Sequence, residues 1–388
     1  MSTMQNGAAT TQRNADNPLV MLGAAGQSIW LDYIRRDLIE SGELAKMIAK
    51  DGLAGMTSNP AIFERAVATD PAYQGFLRNF SGDRRDTKTA YEQLAIRDIR
   101  EAADALHPVY TRTNGLDGYV SLEVSPNLAS DTARTIDEAL RLWRQVGKSN
   151  LMIKVPGTPE GIPAIRTLIA EGLNVNVTLL FARSAYEKAA EAYLAGLEER
   201  AKKAQPVTGI ASVASFFVSR IDAAIDAKLD ALAKAGGPDA ARAAALLGRI
   251  AIANAKLAYE HFQHLVASSR WQALARDGAR PQRLLWASTG TKNPAYRDVI
   301  YVEELIGAST VNTLPPATFK AFRDHGRVRA SLMEELSEAK HAIAELGALG
   351  ISLDAVTTTL LRDGVLQFED AFAKLLEAVG KALGTRSD

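Results

Sequence analysis

The sequence predicts an α/β protein built as a closed (β/α)8 barrel (TIM barrel) with additional helices, and three observations point there. Short β-rich runs alternate along the chain with segments of helical periodicity, the mark of repeated strand and helix units. The runs number eight, the count that closes such a barrel, and 388 residues are enough for one. Polar side chains collect late in those runs, at the end where a parallel barrel gathers its chemistry. An open, doubly wound sheet is the alternative that the same alternation allows.

Taken in order, the strand candidates are IWLDY (29–33), GMTSN (55–59), YVSLEV (119–124), LMIKVP (151–156), NVNVTLLF (174–181), IASVASFF (210–217), RLLWAS (283–288) and STVNTLP (309–315). Between them, TAYEQLAIRDIREAADAL (89–106), ARTIDEALRLWRQVG (133–147) and RSAYEKAAEAYLAGLEERAKKA (183–204) place apolar residues at every third or fourth position, which buries one face of a helix. Ser130 or Asp131 can cap the second of these, and Thr158 with Pro159 and Glu160 can open the helix after strand four. Residues 219–276 and 316–383 exceed a minimal barrel. Both are Ala-rich with a helical pattern, and they are expected as extra helices packed outside it. Neither carries the Pro/Gly/Ser linker that separates domains, so residues 18–388 read as one barrel domain. The first 17 residues are polar, lack a secretory apolar stretch, and read as a flexible tail.

Composition excludes several classes. At 47% hydrophobic and 23% charged the chain can build a large core. Lys plus Arg and Asp plus Glu are both 45, so no overall field draws it to nucleic acid or to an acidic membrane, and any anionic ligand must be held locally. No run of about 18 apolar residues offers a membrane span. With no cysteine there is no disulfide, thiolate metal site or thiol nucleophile, which fits a reducing cytoplasm. His261 and His264 share a helix face, but two histidines without a third ligand make a weak metal site, and none is expected.

In a barrel strand alternate side chains point inward. Lys154 shares a face with Met152 and Pro156 while the apolar Ile153 and Val155 take the other, so Lys154 is expected inside. The same reading sends inward Asp32 with Trp30, Asn59 with Thr57, Glu123 with Ser121, Asn176 with Thr178, Ser215 with Val213, and Ser288 with Trp286. Each has an ordinary structural role open to it: a salt-bridged lysine, a carboxylate accepting from backbone amides, an Asn capping the next helix, a β-forming Thr. Independent roles of that kind would not bring seven strands' polar groups to one end of one cavity.

A lysine buried in apolar surroundings favours its neutral form, and a neutral amine attacks a carbonyl to give a Schiff base whose iminium permits cleavage of a carbon–carbon bond. Such a step needs a carboxylate to move protons on the carbinolamine and a base for the hydroxyl of the breaking bond. Glu123 and Asp32 can fill those roles.

On these residues the chain resembles the transaldolase family, in its longer bacterial type. GMTSNPAIF (55–63), SLEV (121–124), MIKVPGTPEGIPAI (152–165), GLNVNVTLLF (172–181), SFFVSRID (215–222) and LLWASTGTKNPAY (284–296) follow its motifs in order, and the resemblance runs over roughly residues 18 to 383, through GISLDAV (350–356) and DGVLQFEDAFAKLLEAV (363–379). It implies a class I aldolase-like barrel with Lys154 as the Schiff-base lysine, Glu123 and Thr178 positioning a catalytic water, and Asp32 as the acid/base of aldol cleavage. It further implies Asn59 and Asn176 holding substrate hydroxyls and the intermediate, and Ser215 and Arg220 binding phosphate; Ser288, from the inward set, is taken as a further substrate-side candidate. Shorter members carry an arginine after strand seven where this chain has STGTKNP, which makes Lys292 the substitute, a point charge in place of a planar fork.

The implied reaction is transfer of a dihydroxyacetone unit from a ketose phosphate, such as sedoheptulose 7-phosphate or fructose 6-phosphate, to an aldose phosphate such as glyceraldehyde 3-phosphate or erythrose 4-phosphate, in the pentose phosphate pathway. The iminium is the electron sink, so no cofactor or metal is implied. The expected partners are sugar phosphates, with no nucleic acid or membrane; homo-oligomerisation stays open. Two other readings remain: a related aldolase releasing free dihydroxyacetone, and an inactive barrel that only binds.

Overall fold

Eight parallel strands pair in chain order and close on themselves in the computed structural model, which describes residues 17–384. They are β1 (Gln27–Asp32), β2 (Leu53–Thr57), β3 (Tyr119–Glu123), β4 (Leu151–Pro156), β5 (Val175–Leu180), β6 (Ser212–Phe217), β7 (Arg283–Ala287) and β8 (Thr310–Leu314). Pairing of β1 with β8 makes the closed barrel and sets aside the open sheet. Of the expected tail, residues 1–16 lie outside the described residues; Asn17 caps the helix Pro18–Ala24 by accepting from Leu19 N.

The predicted strand LMIKVP coincides with β4, whereas GMTSN is displaced by two residues. Strand β2 ends at Thr57 because Ser58 turns to donate to the Ser121 carbonyl and Asn59 leaves the sheet to cap the helix Pro60–Thr69. The three predicted helices correspond to Thr87–Arg112, Thr132–Val146 and Arg183–Lys202, the second and third ending one and two residues earlier than expected. Asp131, and not Ser130, caps the second, accepting from Arg134 N at 3.0 Å. After β4 the helix begins only at Gly161, whose N–H is taken by the Thr158 hydroxyl.

The extra regions are helical, but their expected place outside the barrel needs correcting for the last helix, Leu353–Leu383. It packs on Pro60–Thr69 and Thr87–Arg112 and reaches the barrel mouth, where a side chain at Gly364 would meet Leu179. Its neighbour Leu336–Ala348 meets it at a bend of 90°, and no single helix among the described residues is long and apolar enough to cross a membrane.

The amino end of the barrel interior is closed by a fixed polar and aromatic plug. Asp117 accepts from Ser28, Trp30 Nε1 and Arg283, and the Trp30 ring lies 6.3 Å from Tyr119. Arg283 and Ala287 therefore belong to the inward set of β7, which corrects the expected inward face of Trp286. Trp286 packs edge to face with Phe216, on the opposite side from Ser215 and Phe217.

Gly55 leaves room for the Trp30 ring of the neighbouring strand, since a Cβ there would stand 2.5 Å from Trp30 Cδ2. Gly55→Ala is expected to destabilise the barrel by about 1–3 kcal/mol through overpacking. A lowered midpoint in urea or thermal denaturation checks this, and an unchanged midpoint would mean that the ring has room to move.

Candidate active site

Register places three polar side chains abreast on neighbouring strands: Glu123 opposite Lys154 on β3 and β4, and Lys154 opposite Asn176 on β4 and β5. Each belongs to its strand's inward set, so pairing alone brings them together. Lys154 is 5% exposed, with Nζ 3.1 Å from Glu123 Oε2. Its hydrogen bond goes to the Ser58 carbonyl at 3.2 Å, and the Phe368 ring lies 5.7 Å from Nζ. The surroundings are thus not the purely apolar ones expected, because a carboxylate stands beside the amine. Asn176 is held on both sides, donating to Ser121 Oγ at 3.0 Å and accepting from Ser215 Oγ at 2.7 Å.

Lys154 opens into a cavity of about 490 Å3 at the carboxyl ends of the strands. Asp32, Asn59, Thr178, Ser215, Arg220, Ser288 and Lys292 line it, while Glu123 and Asn176 stand one layer behind. Asp32 accepts from Thr57 Oγ1 at 2.7 Å, not from backbone amides. Thr57 in turn shares a 2.8 Å hydrogen bond with Thr313 of β8. Asn59 Oδ1 caps its helix by accepting from Ile62 N, and the residue also lines the cavity. Thr178 Oγ1 is buried and makes no hydrogen bond within the described protein.

Both acids are pushed above the usual carboxylate range by burial. For Asp32 this is opposed by the charge of Lys154, the Thr57 hydroxyl and Arg220; for Glu123 it is opposed by Lys154 and reinforced by Asp32. Arg220 is pushed down by burial and held up by Asp32.

Ser288 arrives by a different route from the one expected. Strand alternation would turn it away with Trp286, but its φ of 55° leaves the strand geometry and puts Ala287 and Ser288 both at the cavity, with Ser288 Oγ 3.0 Å from Ser219 Oγ. Sequence reasoning missed Thr313, although its alternation with Val311 held the signal. It also missed Arg35, Arg65 and Phe368, which reach the cavity from loops and helices whose placement no local pattern encodes.

The helix Ser219–Ala235, which carries Arg220, is pinned one turn in. Asp222 accepts from Ala251 N at 2.7 Å and from the Tyr301 hydroxyl at 2.8 Å; Asp226 accepts from Gly248 N and from the hydroxyl of Tyr296, in the loop that bears Lys292. Burial, with Asp226 nearby, pushes Asp222 up to about 7.

A family model described as Transaldolase/Fructose-6-phosphate aldolase matches residues 29–379. The chain is 47% identical over 367 residues to a protein named Transaldolase from Trichodesmium erythraeum, covering 94% of this chain and 97% of that one. It is 48% identical over 355 residues to the Transaldolase of Thiobacillus denitrificans (92% and 97%) and 46% identical over 353 residues to that of Neisseria gonorrhoeae (91% and 97%).

Asp222 generates a stability prediction. Its folded pKa lies above the ordinary aspartate value, so the folded state holds the proton more tightly and stability falls as pH rises from about 4 through about 7. Asp222→Asn, which keeps the shape and stays neutral, is expected to flatten that fall. Thermal midpoints of both proteins at pH 5 and pH 8 check it, and parallel slopes would remove Asp222 as the cause.

Proposed function

The chain belongs to the transaldolase/fructose-6-phosphate aldolase family, whose enzymes transfer aldehyde and ketone units, and on that premise we propose that Lys154 is the amine that carries dihydroxyacetone between sugar phosphates. The observation that carries this reading is a buried lysine with one carboxylate 3.1 Å away and a second in the same cavity, under a mouth that also holds Arg220. In its neutral form Nζ attacks the ketone carbon of a ketose phosphate to give a carbinolamine. Glu123, through a water held on the otherwise unpartnered Thr178 hydroxyl, protonates the departing hydroxyl, and loss of water leaves the iminium.

Asp32 takes the proton of the hydroxyl two carbons from the iminium. The bond between that hydroxyl-bearing carbon and the carbon next to the iminium breaks, its electrons flow into the iminium to form an enamine, and an aldose phosphate leaves. An incoming aldose phosphate reverses these steps, and hydrolysis frees the lysine. Asn176, fixed between Ser121 and Ser215, and Asn59, fixed by its cap, hold the hydroxyls of the intermediate. Arg220 and Lys292, with Ser215 and Ser288 beside them, hold phosphate. No cofactor enters this scheme.

The same reading takes residues 18–388 as one catalytic barrel domain. It puts the reaction among the diffusing sugar phosphates of the pentose phosphate pathway, in a reducing cytoplasm that a cysteine-free chain fits.

Borohydride reduction in the presence of fructose 6-phosphate is expected to leave a reduced dihydroxyacetone adduct on Lys154, and Lys154→Met is expected to abolish trapping. An adduct on another lysine would overturn the assignment. Product analysis with erythrose 4-phosphate present separates transfer, which gives sedoheptulose 7-phosphate, from release of free dihydroxyacetone.

Since Asp32 must be ionised to act and is held above its ordinary value, the acid limb of kcat/KM should lie above about pH 4. Arg220 favours the ionised form, so Arg220→Ala should move that limb to higher pH, measured with unphosphorylated fructose so that lost phosphate contacts do not enter. A limb that stays in place would mean that another group sets it.

A further inference from the structure

Arg220 donates one hydrogen bond to a side chain among the described residues, from Nη1 to Gln367 Oε1 at 2.9 Å. Gln367 lies on the C-terminal helix, 147 positions away in the chain. That helix is fixed where it meets the site. Gly364, one turn before, packs against Leu179 and Phe181, and Phe368, the next residue, is buried over Lys154. The Gln367 amide is therefore set beside Arg220 by the packing of a helix face.

An arginine only donates, so the carbonyl end of the amide faces the guanidinium and the NH2 end remains a donor. A glutamate here would cancel the charge that Arg220 offers an anion, and a lysine would repel it. Glutamine satisfies one guanidinium N–H and leaves the charge intact.

We propose that Gln367 is a specificity-determining residue for phosphate, its amide nitrogen donating to a phosphate oxygen held on Arg220 while its carbonyl keeps Arg220 in place. This rests on the reading of Arg220 as a phosphate ligand, and it makes the C-terminal helix part of the substrate site. A sugar phosphate then meets a donor at the start of the helix Ser219–Ala235 and one on the C-terminal helix, whereas an unphosphorylated sugar gains nothing from Gln367.

The test compares Gln367→Glu and Gln367→Ala with the unaltered chain. KM for fructose 6-phosphate should rise about tenfold in Gln367→Glu and about threefold in Gln367→Ala, with kcat nearly unchanged, as expected for loss of a binding contact and, in the first variant, for a like charge facing the anion. Borohydride trapping of free dihydroxyacetone on Lys154 should stay at the unaltered rate in both, because that ligand has no phosphate. Unmoved phosphate KM values in variants that still trap would overturn this assignment alone. Equal losses for fructose and fructose 6-phosphate would also overturn it, since the role would then be structural. Failure of the unaltered chain to trap dihydroxyacetone would bring down the Schiff-base reading and this assignment together.

Discussion

A single lysine amine, 5% exposed on β4 and 3.1 Å from Glu123, is what the architecture is arranged around. Burying one charge is costly, and a buried pair is tolerated only where geometry supplies the attraction and the remaining hydrogen bonds. A parallel barrel provides this cheaply, because register sets neighbouring inward side chains side by side on stiff elements. Glu123, Lys154 and Asn176 are neighbours by strand pairing, and Asp32 faces Thr57 by the same rule. No loop has to find its place for the amine to meet its acid.

The two acids share one cause and differ in their neighbours. Burial raises both, but Asp32 has a hydroxyl donor and a second cation within reach, whereas Glu123 has Lys154 and the repulsion of Asp32. Carboxylates in unlike environments can take unlike roles at one pH. In the proposed scheme Asp32, whose anion is favoured by the Thr57 hydroxyl and by Arg220 as well as by Lys154, is the base, and Glu123, against the amine, passes protons back and forth. In that scheme Lys154 also keeps its neighbours through the chemistry, since the iminium carries positive charge next to Glu123.

What the sequence disclosed follows from how locally each residue is determined. Lys154 was legible because the outward residues Ile153 and Val155 are apolar and leave the other face no direction but inward. Asp32, Glu123, Asn176 and Ser215 followed by the same alternation. The rule failed at Trp286 and Ser288, where a left-handed φ breaks the period of two; alternation cannot register a conformation that belongs to the end of the strand. It failed also at Phe368, an apolar residue in an amphipathic helix that reads as ordinary core until the fold shows what the helix covers. Asn59 was ambiguous between cap and ligand because one oxygen serves the helix while the rest of the amide faces the cavity.

The mouth of a barrel is its most solvent-accessible part, and interactions between charges weaken there. With no net charge on the chain, nothing distant concentrates an anionic substrate, so discrimination depends on the few cations at the rim and on how dry they are kept. The long C-terminal helix answers that constraint. It lays the buried Phe368 against the lysine and sets the exposed Gln367 on Arg220, lying over the end of β5 and against the helix that follows β6, so the charge it keeps dry is that of the lysine. Leu179, with φ of 59°, sits under that helix at Gly364, so the strained end of β5 and the covering helix hold each other. Strain of this kind persists only where packing enforces it, and here the enforcing element also closes the site.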